Sequence, residues 1–371
     1  MSEAAIAIKY PKNFSSLTIG RGLASLIVAA YHGSCVWPKG VFSYFLGFGW
    51  LGVPFFFVLS GFVITWSSTS ERPYREFIVH RIARIFPLHW LCLAVSIFAF
   101  FTIHSPLAGY VGRIGGTILQ VFLLQDLVPG HPDVRQAWDG VTWSLSVEFC
   151  FYLIAPFLVK FFNKKKTSTL INGAVTVYLL YAIVGVLSFS KGHLWLNDFM
   201  LMSPFSNLSF FIYGIVSAII LKRGFRVKIS FFVKVLLFLL VFLYCHHLDN
   251  KNRVLMEAFI APAFVACIID QPQEFIENRS YFLNYFYPFF YKIGEISFSL
   301  YMVHALILGA MSILIGHFKL TYHPTIFNFV FVIISLIVAY IAYELVEKPA
   351  KEFIVEKFSL KANRLGYIFK I

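Results

Sequence analysis

Charged residues are scarce in this sequence. Asp, Glu, Lys and Arg make up 13% of its 371 residues, while hydrophobic residues make up 59%. A soluble domain usually carries about 25% charged residues, so the composition excludes an ordinary soluble globular protein. The apolar residues come in separated blocks of about twenty, the length that crosses a hydrocarbon core of roughly 30 Å as a helix. The composition therefore predicts a membrane protein.

Cysteine is scarce as well. The five cysteines lie in or beside apolar blocks, without the close pairing of a zinc site or the density of a disulfide scaffold. We therefore predict no metal site. The sequence also lacks an internal repeat and a polar segment of domain size. Its net charge of +13 is spread over short connections, which argues against a nucleic-acid partner.

What the sequence does contain is a series of apolar blocks, and these predict an all-α, polytopic transmembrane bundle of about ten spans. A further apolar stretch near 112–128 is short, so we predict a re-entrant or interfacial segment there and not a crossing. The predicted spans lie near residues 17–37, 46–66, 86–106, 144–162, 168–188, 204–221, 230–247, 253–270, 289–315 and 325–345.

The basic residues predict the orientation. With the N-terminus inside, the cytoplasmic connections hold most of the 31 Lys and Arg residues, as the positive-inside rule requires. Both termini are then cytoplasmic. This gives a cytoplasmic N-terminal tail at 1–16, a transmembrane domain at 17–345, and a basic cytoplasmic or interfacial tail at 346–371 whose aromatics suit a membrane surface.

Ionisable residues inside a span are costly and need a reason. Arg21 and His32 lie roughly 16 Å and about three turns apart on the first span, so they share one helical face. A cation near the cytoplasmic end and a neutral base near the outer end suit a long donor with an anionic head. The alternative is an arginine that reaches the lipid headgroups and a histidine bonded within the bundle.

Arg81 and Arg84 form a second candidate. They lie three residues apart on one helical face, just before Pro87. Guanidinium groups suit phosphate because each presents a planar fork of donors. The alternative is an ordinary basic cytoplasmic connection.

Glu148 lies about one turn inside the fourth span, at roughly the depth of His32. A carboxylate there could orient the imidazole and stabilise its protonated form, or pair with a structural cation. Ser144 lies one turn earlier and could share the site. Tyr301 and His304 lie on one face of the ninth span and could line a substrate path or bond neighbouring helices. Cys35 could in principle be an acylated nucleophile, although a packed cysteine is the commoner case.

These segments together resemble acyltransferase family 3, the membrane O-acyltransferases of bacteria that modify surface and secreted carbohydrates. The resemblance is ordered along nearly the whole chain. It rests on Arg21 and His32, the glycine-rich pattern from Gly49 to Ile64, Arg81 with Arg84, WSLSVEF around Glu148, SFSLYMVH ending at His304, and the terminal YELVEKPAKEF.

The resemblance implies a bacterial cytoplasmic membrane, an acyl-CoA co-substrate, commonly acetyl-CoA, and no permanently bound cofactor. It implies catalysis by His32 and donor binding by Arg21, Arg81 and Arg84. We expect His32, oriented by Glu148, to activate a hydroxyl of a carbohydrate acceptor, which could be lipid-linked. The alternatives are an acyltransferase for a lipid or small molecule, and a transporter or flippase for a lipid-linked saccharide.

Overall fold

The computed structural model contains helices and turns, with no strand among the residues that it describes. Those residues are 15–40, 43, 46–68, 73–103, 110–128, 132–135, 137–191, 199–225, 230, 232–233, 236, 239, 253–269, 281–321 and 323–368.

The described α-helices are α1 (Ser15–Val36), α2 (Gly52–Ser67), α3 (Tyr74–Ile103), α4 (Tyr110–Val121), α5 (Pro132–Arg135), α6 (Trp143–Asn163), α7 (Thr167–Lys191), α8 (Pro204–Lys222), α9 (Arg253–Ile269), α10 (Tyr281–Glu295), α11 (Ser297–Phe318), α12 (Pro324–Ala342) and α13 (Lys348–Ile368). Short 3₁₀ turns lie at Gly49–Leu51, Gln125–Leu127 and Gly140–Thr142, and a π-helical turn at Tyr343–Glu347 joins α12 to α13.

Within the described part of the chain, seven helical segments are long and apolar enough to cross a membrane. They comprise α2, α3, α6, α7, α8, α11 and a segment that begins with α12. The segments of α2 and α6 include the 3₁₀ turn before each helix, and the last segment continues through the π-helical turn to Phe358 in α13. This confirms the helical, multi-pass architecture. The count of ten spans and the orientation stay predictions. The span predicted at 230–247 falls largely outside the described residues.

The helix α1 has 22 residues but is not among these seven. It holds Arg21, His32 and several Ser and Gly residues, which lower its hydropathy. Its position explains why such a helix is tolerated: α1 packs against α2, α10, α11 and α12. Because protein and not lipid surrounds much of its surface, polar side chains on α1 can find partners inside the bundle.

Two predicted span boundaries differ from the structure. The helix α3 begins at Tyr74, not near residue 86, and continues through Pro87 for 30 residues. The block predicted at 289–315 is two helices, because the chain turns at Ile296 between α10 and α11. Lys292, Gly294 and Glu295 mark this turn in the sequence, but the apolar residues on both sides of it together predict one block.

The segment at 112–128 falls mainly in α4, which has 12 residues. A helix of this length rises about 18 Å, which is well short of a hydrocarbon core. The 3₁₀ turn at Gln125–Leu127 and the short α5 follow it. Within the described residues this segment is not among the helices long and apolar enough to cross, and its re-entrant or interfacial placement stays a prediction.

Two close helix crossings depend on glycine. Gly61 of α2 faces the backbone of Phe211 in α8, and Gly214 of α8 faces the backbone of Val58 in α2. A β-carbon at either glycine would collide with the opposite main chain. Small residues thus allow α2 and α8 to pack backbone to backbone. This close contact fixes the position of α2, the helix that carries Ser60.

Candidate active site

A polar cavity of about 430 Å³ lies where α1 begins and where the α12–α13 helix makes its π-helical turn. Its walls come from α1, α2, α3, α6, α10 and the residues around that turn. The charged side chains that line it are Arg21, Arg81, Arg84, Glu148, Glu295, Glu347 and Lys351. The structure therefore brings the three predicted donor-binding arginines to one cavity.

Two of these arginines, Arg21 and Arg81, are held by different kinds of contact. Arg21 donates to the Gly294 carbonyl from Nε at 3.2 Å and from Nη2 at 2.7 Å. Arg81 has its guanidinium carbon 5.2 Å from the ring centres of both Phe77 and Tyr152. These contacts orient the arginines without neutralising their charge, which leaves the charge available to an anion.

Glu148 lies in this cavity and not beside His32. Its Oε1 accepts hydrogen bonds from Ser60 at 2.8 Å and from Tyr152 at 2.5 Å. The expected pairing of Glu148 with His32 is therefore absent from the described contacts. Sequence position placed both residues at a similar depth, but the two side chains point into different regions of the bundle.

The partner of His32 is His304. The His304 Nε2 lies 3.2 Å from His32 Nδ1, and the ring centres are 5.0 Å apart. His32 Nδ1 also lies 3.0 Å from the Val28 carbonyl, while His304 Nδ1 lies 2.7 Å from the Tyr301 carbonyl. His304 is fully buried, and His32 is partly exposed.

The two carbonyls define the tautomers of this pair. A carbonyl only accepts, so both Nδ1 atoms of the neutral pair carry a proton. His304 Nε2 then has a lone pair directed at the His32 Nδ1–H, and His32 Nε2 is left unprotonated. His304 thus makes the contact with His32 that we expected from Glu148.

Tyr301 and Ser144 connect the histidine pair to the cavity. Their hydroxyl oxygens are 2.6 Å apart, and Tyr301 also donates to the Val141 carbonyl at 3.0 Å. The Tyr301 ring centre lies 5.6 Å from that of His304. Asp139 fixes the turn that presents Val141, because its carboxylate accepts from the Val141 amide at 3.3 Å. Burial raises the pKa of Asp139 to about 7.

A smaller pocket of about 70 Å³ adjoins the large cavity. The two share Arg21, Phe56, Arg84, Glu148 and Tyr152, and the smaller pocket extends to Ser144 and Tyr301. The site residues predicted from sequence therefore form a series that begins at the arginines. It passes Glu148, Ser144 and Tyr301 and ends at the two histidines.

Several residues of the site were missed by the sequence reasoning. Ser60 and Tyr152 hold Glu148. Arg253 stacks on Trp50 at 5.3 Å and donates to the Tyr31 hydroxyl at 3.0 Å, next to His32. The position of Tyr152 one turn after Glu148 was a usable signal, whereas Arg253 looked like a connection residue. No group of residues suited to a metal ion occurs in the described part of the chain.

The fold and the site define a multi-pass helical membrane protein with a cation-lined cavity near a pair of contacting histidines. The chain belongs to acyltransferase family 3, since the family's model, an acyltransferase domain, matches residues 14–344. The predicted resemblance is confirmed, and the protein is an acyltransferase.

Curated relatives carry the same assignment. The chain is 27% identical over 312 residues to a putative acetyltransferase, ORF330, of Acidianus two-tailed virus, covering 80% of this chain and 84% of that protein. It is 31% identical over 116 residues to acyltransferase MdmB of Streptomyces mycarofaciens, covering 31% and 30%.

A third relative is peptidoglycan O-acetyltransferase OatA of Listeria monocytogenes, 27% identical over 179 residues, which are 44% of this chain and 27% of that protein. No solved structure matches the chain.

Proposed function

We propose that this protein transfers an acyl group, with acetyl as the first candidate, from acyl-CoA on the cytoplasmic side of a bacterial inner membrane to a hydroxyl of a carbohydrate. The observation that carries the proposal is the single series of residues from the arginine-lined cavity to His32. A CoA thioester is long, with phosphates at one end and the reactive carbonyl at the other. The series of residues likewise has arginines for the phosphates at one end and a base for the chemistry at the other.

The donor end is the cavity of about 430 Å³. Arg21, Arg81 and Arg84 line it together, and an arginine offers phosphate both charge and paired donors. Arg21 and Arg84 also line the smaller pocket. A donor held by its phosphates in the large cavity would direct its narrow arm past these two arginines towards Ser144 and Tyr301.

The chemical end is His32. Its Nε2 is the unprotonated atom of the pair, so it can accept the proton of an acceptor hydroxyl. The hydroxyl oxygen attacks the thioester carbonyl carbon and forms the new ester bond. The carbon–sulfur bond then breaks, and the proton taken by His32 passes to the leaving thiolate to give free CoA. His304 accepts the Nδ1–H of His32 throughout and keeps the ring oriented.

A carbohydrate acceptor is favoured by the relatives. They include the peptidoglycan O-acetyltransferase described above and an exopolysaccharide production protein, ExoZ of Rhizobium meliloti, which is 32% identical to this chain over 111 residues. These names describe those proteins. Here they support a sugar hydroxyl as the first acceptor to test.

The test measures transfer of radiolabelled acetyl from acetyl-CoA into cell-envelope carbohydrate by membranes that contain the full chain. His32→Ala removes the base, and we expect a loss of about 10²–10⁴-fold in rate. His317→Ala is the matched histidine control, because His317 lies at the far end of α11, outside the site.

The arginines are tested in the same assay. We expect the double substitution Arg81→Ala, Arg84→Ala to raise the Michaelis constant for acetyl-CoA. Arg75→Ala on the same helix, whose guanidinium lies over the Phe358 ring at 6.0 Å, should leave it unchanged. Labelling that survives His32→Ala would contradict the mechanism. Native membranes that label no acceptor from any acyl-CoA would contradict the proposed function and move the transport alternative forward.

A further inference from the structure

The C-terminal helix forms part of the cavity wall. Tyr343, Glu347 and Lys351 are spaced four residues apart and all line the large cavity. The helix α13 that carries Lys351 packs along α3, the helix of Arg81 and Arg84. The basic tail is therefore placed beside the donor cavity.

Two contacts fix the helix where it passes the cavity. Ser299 of α11 donates to Glu347 at 2.6 Å, and Lys292 of α10 donates to Glu344 at 3.1 Å. Both carboxylates belong to the π-helical turn Tyr343–Glu347. Such turns occur frequently at functional sites. The position of Lys351, one turn further on, is therefore set by the bundle.

The cationic side chains that line the cavity outnumber the carboxylates that line it. Arg21, Arg81, Arg84 and Lys351 line it, and within the part of the chain that the structure describes none of them forms an ion pair. Lys351 lies near enough to Arg84 and Arg81 to be repelled by both, while Glu347 and Glu352 attract it. A bound group with several negative charges would relieve this repulsion.

The two pockets order these cations by depth. Arg21 and Arg84 line both the large cavity and the small pocket, whereas Arg81 and Lys351 line the large cavity alone. Lys351 is also exposed, so it lies at the rim. In CoA the diphosphate is nearer to the thioester, and the 3′-phosphate on the ribose is at the far end of the molecule.

We propose that Lys351 binds the ribose 3′-phosphate of CoA at the rim of the cavity, while the deeper Arg21 and Arg84 bind the diphosphate. This inference rests on the proposed function, because it assumes an acyl-CoA donor. It makes the C-terminal helix the element that distinguishes CoA from its analogue without the 3′-phosphate.

The experiment compares the Kd of CoA and of 3′-dephospho-CoA for the purified full chain in lipid nanodiscs. One charge-assisted contact corresponds to about tenfold or more in affinity, so the native chain should bind CoA at least about tenfold more tightly. Lys351→Met should weaken CoA binding by that factor and leave the Kd of 3′-dephospho-CoA unchanged. Lys351→Arg should retain the preference. Lys357→Met, an exposed lysine on the same helix, is the matched control.

Each contrary outcome has a distinct meaning. A Lys351→Met variant that leaves both Kd values unchanged overturns the inference and assigns Lys351 to a lipid headgroup or to solvent. Equal weakening for both ligands also overturns it, because Lys351 would then act on a part that they share. A native chain that binds both ligands equally overturns the inference but keeps the proposed function. A native chain that binds neither CoA nor acetyl-CoA overturns the proposed function itself.

Discussion

His32 and His304 show how two backbone carbonyls can define the chemistry of a side chain. Val28 and Tyr301 accept from the Nδ1 atoms of the two rings, and this leaves His32 Nε2 as the ring atom that can accept a proton. A carboxylate partner would also stabilise the protonated ring by its charge, whereas a neutral histidine offers only a lone pair. The His304 contact therefore orients the His32 ring but adds no negative charge to stabilise its protonated form.

His304 can be tested as a positioning residue. His304→Asn keeps a donor near the Tyr301 carbonyl but is too short to reach His32. We therefore expect kcat to fall by at least about tenfold, and by no more than the roughly 10²–10⁴-fold that a general base contributes. His304→Gln extends an amide oxygen towards His32 Nδ1 and should recover part of that loss. The Michaelis constant for acetyl-CoA should not change, because His304 does not line the described cavities.

The measurement is acetyl transfer at varied acetyl-CoA concentration, with the amount of folded protein determined for each variant. His317→Asn serves as the control. Equal loss in the Gln and Asn variants would indicate a packing role for His304.

The helices α2 and α8 determine where the site can form. Ser60, which holds Glu148, lies on α2 one residue before Gly61, and Gly61 packs on the α8 backbone. A shift of α2 would therefore move both the close crossing and the hydrogen bond to Glu148. The stability of this crossing and the shape of the cavity depend on the same contact.

This coupling predicts a large effect for a small substitution. Gly61→Ala adds a β-carbon where the Phe211 backbone leaves no room, and overpacking of this kind costs about 1–3 kcal/mol. Gly173→Ala on α7 has no atom near its added β-carbon, so it should be neutral or slightly stabilising. Thermal unfolding in detergent measures both. A Gly61→Ala variant as stable as Gly173→Ala would show that the two helices can separate freely.

At the scale of the whole molecule, α11 gives a direct test of orientation. It begins beside the cavity at Ser297 and ends at Phe318, a rise of about 33 Å over its 22 residues. Lys351 at the cavity rim and Thr321 beyond the end of α11 should therefore lie on opposite sides of the membrane.

A cysteine placed at each position tests this arrangement in intact cells. In a Cys35→Ser background, an impermeant maleimide should label Thr321→Cys without lysis and Lys351→Cys only after lysis. The chain that carries Cys35→Ser as its single substitution is the control for labelling of the other cysteines. Labelling of Lys351→Cys in intact cells would invert the topology and place the donor cavity outside.

Much of this molecule could be predicted from composition and motifs, because apolar blocks, costly buried charges and basic connections follow from the properties of the bilayer. The residues that gather in the site were also predictable, since an arginine inside a span and two arginines on one helical face suit an anionic ligand. The pairing between helices was not predictable. Whether His32 meets Glu148 or His304 depends on how α6 and α11 rotate against α1, and their residue spacing does not specify that rotation.

The π-helical turn at Tyr343–Glu347 sets which face of the following helix meets the cavity. This turn accommodates one residue more than an α-helical turn would. Deleting Leu345 would therefore leave a continuous α-helix with Lys351 on nearly its present face, because only the extra residue of the wide turn is lost. Inserting a further residue into the turn would instead rotate everything beyond it by about 100° around the helix axis. Lys351 would then leave the cavity although no residue of the wall had been substituted, so an insertion in YELVE should disrupt this wall more than the deletion does.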